Sequence, residues 1–165
     1  MKTKMNTYLL TFALLGSAFM FNSCEKGDDT GNTGGVTPPK TNSVSAQIGS
    51  KILEPSGLPL VNFESGTGTL DFTVYDKDQV HTLAIYLDVN GGNGQSFASG
   101  GTAFANVQTS STTEGLYTSD GGSLTLTTND KTNRIVEGTF SFSAKNINSP
   151  PDNINVSGGK FYIKY

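Results

Sequence analysis

Between Thr69 and Val89 the chain twice alternates apolar and polar residues with a period of two. TLDFTVY places Leu70, Phe72 and Val74 on one side, and HTLAIYLDV places His81, Leu83, Ile85, Leu87 and Val89 on one side. A helix cannot bring residues two apart onto one face, whereas a pleated strand does so at every step. The polar stretch Asp76-Lys77-Asp78-Gln79 between them reads as a turn, so the two runs form a hairpin. With Lys77-Asp78 at the centre of that turn, Val74 faces His81, Phe72 faces Leu83 and Leu70 faces Ile85. A slip by one residue would set each of these against a polar neighbour. This register makes His81 a packing residue at the rim of the core.

The same period governs the rest of the chain from Asn42 onward. Val44, Ala46 and Ile48 mark a first strand. Ile52-Leu53 and Leu60–Phe63 are shorter candidates in a region punctuated by Pro55, Gly57 and Pro59. Residues 90–101 are glycine-rich and read as a long loop, with Phe97 its only large apolar residue. Ala103–Gln108, Gly115–Thr118 and Leu124–Thr128 follow. In Arg134–Ala144, Val136, Phe140 and Phe142 share a face across a bend at Gly138. After a break at Pro150-Pro151, Asn153–Tyr165 reads as one long strand bulged at Gly158-Gly159. No stretch in this part has helical spacing. About eight to ten antiparallel strands predict an all-β domain, a β-sandwich or a closed barrel.

The N-terminus is of another kind. Lys2 and Lys4 precede the apolar run YLLTFALLGSAFMF, which Asn22, Ser23 and Cys24 close. A basic start, an apolar run too short for a bilayer crossing and a small residue before the cut describe a secretory leader. Cys24 is the only cysteine. The segment resembles a bacterial lipoprotein signal, with Ser23 fitting and Phe21 and Asn22 departing from the strictest form. The resemblance makes residues 1–23 the signal peptide and Cys24 the acylated first residue of the mature chain. Glu25-Lys26-Gly27-Asp28-Asp29 is similar to the acidic tag that directs Bacteroidota lipoproteins to the outer face of the outer membrane. More than one acyl chain gives a lasting membrane anchor. Residues 24–41 hold Gly, Thr, Asp and a Pro pair and read as a flexible tether, leaving 42–165 as one β-domain.

The C-terminal third also carries a resemblance. Gly121–Thr128 (GGSLTLTT), Gly138–Ala144 (GTFSFSA) and Ile154–Phe161 (INVSGGKF) resemble strands of an uncharacterised Bacteroidota surface lipoprotein family. That likeness implies an all-β fold and a lipoprotein context, and carries no catalytic residues over.

Chemistry is scarce in the remaining residues. Without residues 1–23 the chain has 9 basic and 14 acidic residues, a formal charge of −5, and its one arginine is Arg134. That balance argues against nucleic acid, whose binding leans on clustered Lys and Arg. One histidine cannot assemble a His/Cys zinc site, and a Ser–His–Asp arrangement would have to use His81. No cofactor is expected. Asp71, Asp76, Asp78 and Asp88 are the carboxylates that a glycosidase would need in pairs across a cleft, although aspartates in turns usually bond nearby backbone. For calcium, Asp88, Asn90 and Asn93 in the loop DVNGGNG offer one carboxylate and two amides. Tyr75, Tyr86, Tyr117 and Tyr162 fall on phases opposite the core residues, and exposed rings mark recognition sites. The expectation is therefore a lipid-anchored β-domain on the cell surface, with a binding or structural role toward a carbohydrate or protein ligand. A small hydrolase acting on surface glycans is the alternative.

Overall fold

The computed structural model describes residues 40–148 and 152–165. The leader, Cys24, most of the tether and Pro150-Pro151 lie outside the described residues. The rest is an antiparallel all-β fold. Its strands are β1 (Ser43–Ile48), β2 (Lys51–Ile52), β3 (Leu60–Glu64), β4 (Thr69–Tyr75) and β5 (Thr82–Asp88). β6 (Gly94–Ser96), β7 (Ala103–Gln108), β8 (Leu116–Asp130), β9 (Ile135–Asn146) and β10 (Asn153–Lys164) complete the set.

One sheet runs in the order β2-β1-β10-β9-β8-β7-β5-β4-β3, with β6 added beside β8. The sheet curls as a half-barrel, so its two ends approach across the core. The Phe72 ring of β4 lies 5.2 Å from that of Phe161 on β10, and Phe63 of β3 lies 4.5 Å from Tyr165. Inward-facing residues of every long strand fill the curl: Leu70, Phe72, Leu83, Ile85, Val107, Leu124, Val136 and Ile163 are each almost fully buried. At one rim the chain itself joins the two ends. Residues 54–56, just past β2, pair with the end of β4: Ser56 N–H donates to Tyr75 O at 2.8 Å, Lys77 N–H to Glu54 O at 2.9 Å, and Pro55 bridges Asp76.

The hairpin of β4 and β5 has the expected faces and a different register. Val74 pairs with Leu83, Phe72 with Ile85 and Leu70 with Leu87, two residues from the expected partners. The two-residue turn at Lys77-Asp78 is replaced by a four-residue loop between Asp76 and His81. Asp76 N–H donates to His81 O, and Gln79 N–H to Asp76 O, both at 2.9 Å. Gln79 adopts a φ of 57°, and Asp78 Oδ1 accepts the N–H groups of Val80 and His81 at 2.9 Å each. Four backbone N–H groups are satisfied within six residues, which favours the larger loop. Because the slip is two residues and the side-chain period is two, the apolar face survives.

Bulges set the phases of the long strands. β8 unites the two strands expected at 115–118 and 124–128, with register shifts at Ser119/Gly121 and Leu126/Thr128. β10 is the single expected strand, with its shift between Val156 and Gly159 and Gly158 at a φ of 61°. The supposed loop 90–101 contains β6, and Phe97 is buried against Phe142 with ring centroids 4.8 Å apart.

Candidate functional site

Three places gather polar groups. The first is the joined rim. Asp76 is buried, at 1% exposure. Its Oδ1 accepts the Glu54 N–H, and its Oδ2 lies 3.0 Å from Lys51 Nζ. The same ammonium is 3.1 Å from Asp78 Oδ2, which also bonds His81 Nδ1. Burial pushes the Asp76 carboxyl up, and the Lys51 hydrogen bond and Glu54 amide outweigh it, holding the group below its ordinary value. Asp78 is held well below the carboxylate range, chiefly by the His81 N–H, then by Val80 N–H, the His81 ring and Lys51. Both carboxylates in turn raise Lys51.

Asp76, Asp78 and His81 lie close enough to hold a metal ion. The cation between the two carboxylates is, however, the chain's own Lys51. His81 is thus neither the expected neighbour of Val74 nor a triad base: its ring holds Asp78, and among the described residues it has no hydroxyl partner. Asp71 stands apart, accepting from Asn62 at 2.9 Å.

The second place is the loop after β5. Gln95 is buried; its Oε1 accepts the Asp88 N–H, and its Nε2 donates to the carbonyls of Asp88 and Gly92. Asp88 Oδ1 accepts the Asn90 N–H, and Asn90 Oδ1 accepts Lys131 Nζ at 2.9 Å. Two of the carbonyls and the Asn90 oxygen that calcium would use already have donors. Gln95, a polar residue inside a glycine-rich stretch, organises this loop and gave no sequence signal beyond its polarity.

The four tyrosines do not come together. Tyr117 is buried, and its hydroxyl donates to Asp152 Oδ2 at 2.7 Å. That bond and burial raise its pKa. The expectation that it faces outward fails because the bulge after Ser119 switches phase within β8: Tyr117 and Ser119 point inward before it, Leu124 and Leu126 after it. Tyr86 and Phe104 form a cross-strand pair on the outside of β5 and β7, 5.7 Å between centroids. Tyr75 is exposed at the end of β4. Tyr162 lies on the outside of β10 with Lys40 Nζ 5.2 Å from its ring centre.

The third place is the outer face of β1, β10, β9 and β8, where the sequence showed only the polar half of an alternation. Ser45 pairs with Lys160, Lys160 with Thr139 and Thr139 with Thr125, so one row crosses four strands. Ser141 and Ser123 pair in the next row, and Ser143 and Asn155 in the one beyond. Three depressions adjoin here. One of about 710 Å³ is lined by Lys40, Ser45, Glu137, Thr139, Lys160 and Tyr162. A second of about 280 Å³ shares Thr139 and Lys160 and reaches Ser141 and Gly158. A third of about 460 Å³ takes in Ser141, Ser143, Asn155 and Ser157. Where glycines replace side chains beside the β8 and β10 bulges, the face sinks between its neighbours. Lys40 closes one end, paired with both Glu137 oxygens at 3.0 and 3.1 Å.

Comparison with protein families, with characterised proteins and with solved structures finds no match to this chain.

Proposed function

We propose that this chain is a lipid-anchored surface domain that binds an extracellular ligand through the outside of its curled sheet. Its anchor is Cys24, acylated after removal of residues 1–23, and its place is the outer face of an outer membrane. The leader, the lone cysteine and the acidic residues behind it support the anchor. The observation that supports binding is the run of three adjoining depressions on one exposed polar face, while apolar side chains fill the inside of the curl. A filled core leaves recognition to the surface, and a shallow polar surface suits a hydrated ligand.

A glycan hydrolase needs two carboxylates facing each other across a cleft. Asp76 and Asp78 instead share one ammonium at the joined rim, so the binding reading is favoured. Capture of the full chain, in neutral detergent, on an array of bacterial and host polysaccharides tests it. Saturable binding to at least one polymer is expected, and failure to bind any polymer or intact cell overturns it.

A further inference from the structure

The outer face of β1, β10, β9 and β8 differs in charge from the rest of the molecule. The chain is acidic overall, yet this face carries Lys40, Lys145, Lys160 and Lys164 against three acids, Asp120, Asp130 and Glu137. All three acids are engaged, Glu137 by Lys40, Asp120 by the Ser143 hydroxyl and Asp130 by the backbone and side-chain N–H groups of Asn133. Lys160 is exposed, lines two of the three depressions, and has no anionic partner among the described residues. Around it the hydroxyls of Ser45, Ser123, Thr125, Thr139, Ser141 and Ser157 are exposed and likewise lack side-chain partners among the described residues. The track is therefore one uncompensated cation set among free hydroxyls.

That composition selects among ligands. A protein interface has an apolar centre, whereas Phe140, Phe142 and Phe161 on the floors of these depressions are buried and the outward ring, Tyr162, is overlaid by Lys40. The same cover disfavours a neutral glycan, which gains most of its affinity by stacking sugar faces on open rings. A flat bilayer surface cannot enter a recess where Lys160 lies. An extended polymer bearing both hydroxyls and carboxylates matches the cation, the free hydroxyls and the elongated shape. From Glu137 to Ser143 the track follows β9 for roughly 20 Å, long enough for several sugar rings.

We infer that this track binds an acidic, uronate-containing polysaccharide. The Lys160 ammonium takes a sugar carboxylate, and Ser45, Thr139 and Ser141 exchange hydrogen bonds with the sugar hydroxyls. The inference rests on the binding reading above and names its site and ligand class.

Titration calorimetry of the full chain in neutral detergent tests it, with polygalacturonate, dextran and phosphatidylglycerol-doped bicelles as three separate probes. Polygalacturonate should bind, more weakly as salt screens the ion pair. Lys160→Gln should weaken it about tenfold, as loss of a charge-assisted hydrogen bond does. Lys145→Gln, on the same face but outside the track, should change it by less than about twofold. Equal losses in the two variants would show diffuse charge attraction and overturn the inference. Bicelle binding through Lys160 without polymer binding overturns it in favour of a membrane. Dextran binding without polygalacturonate overturns the ligand class and leaves the binding reading standing. Binding of none of the three, with polysaccharide capture on the array intact, does the same; loss of both ends both.

Discussion

Gly159 of β10 lies opposite Phe140 of β9, and a Cβ placed on Gly159 would stand 2.4 Å from the Phe140 ring. The neighbouring pair repeats the device in reverse: Phe161 of β10 lies opposite Gly138 of β9. A Cβ on Gly138 would meet Thr125 O at 2.3 Å and the Phe161 ring at 2.9 Å. Two rings thus pack down onto bare backbone. Gly159→Ala should cost about 1–3 kcal/mol by overpacking. Gly138→Ala should cost at least as much, because a carbonyl in a ladder yields less easily than a ring. Urea unfolding of both variants checks this, and an unchanged midpoint for either would contradict the packing described.

The rim cluster makes stability depend on pH in a stated direction. Asp76 and Asp78 have folded pKa values below their unfolded ones, so their contribution is full above about pH 4 and is lost as pH falls through the folded values. Lys51 is raised, so its contribution is full below its ordinary value of 10.5 and is lost as pH rises through the raised one. Thermal unfolding should show a plateau between these limits. Lys51→Met should flatten the acid-side loss, because without the ammonium the folded pKa values of Asp76 and Asp78 rise, and should strand the buried Asp76 carboxylate, costing about 1–3 kcal/mol at neutral pH. A variant as stable as the parent would mean that Lys51 does not hold the rim.

Tyr117 belongs to the structure and not to a ligand surface. Tyr117→Phe removes the hydrogen bond to Asp152 and keeps the ring in the core, for a cost of about 0.5–1.5 kcal/mol. Ligand capture should be unchanged. A variant that keeps its stability and loses capture would return Tyr117 to the binding surface.

These positions also mark how far the sequence could be read. Alternation alone identified β4 and β5, since Leu70, Phe72, Val74, Leu83, Ile85 and Leu87 all face the core as their spacing demands, but it missed β6 and divided β8 in two. The hairpin register was missed by two residues because Gln79 takes a left-handed backbone conformation that glycine or asparagine usually signals. The phase of Tyr117 was missed because a bulge inserts one residue without any mark on which strand face follows. The proposed binding track was the least legible. Its parts lie on four strands far apart in the chain, and Ser45, Thr139 and Lys160 become neighbours only through the ladder.

The proposed anchor at Cys24 would fix where the domain works. Cys24→Ser should leave the chain as an uncleaved precursor or release it from membranes. Mass spectrometry of the N-terminal peptide from the parent should show a chain beginning at Cys24 with acyl groups attached. A free thiol on protein recovered from the medium would remove the anchor from the account.

Recognition by the outer face of β8–β10 and β1 is tested most directly by a pair of glutamate substitutions on opposite sides of the curl. Ser141 is exposed at the junction of two depressions, and Leu60 is exposed at 61% on β3. Either glutamate should be tolerated, because exposed positions away from buried groups change stability by about 0.5 kcal/mol or less. Polysaccharide capture is then measured for both variants at matched folded concentration. The account predicts that Ser141→Glu abolishes capture while Leu60→Glu leaves it intact; capture that survives Ser141→Glu, or is lost equally in Leu60→Glu, would contradict it.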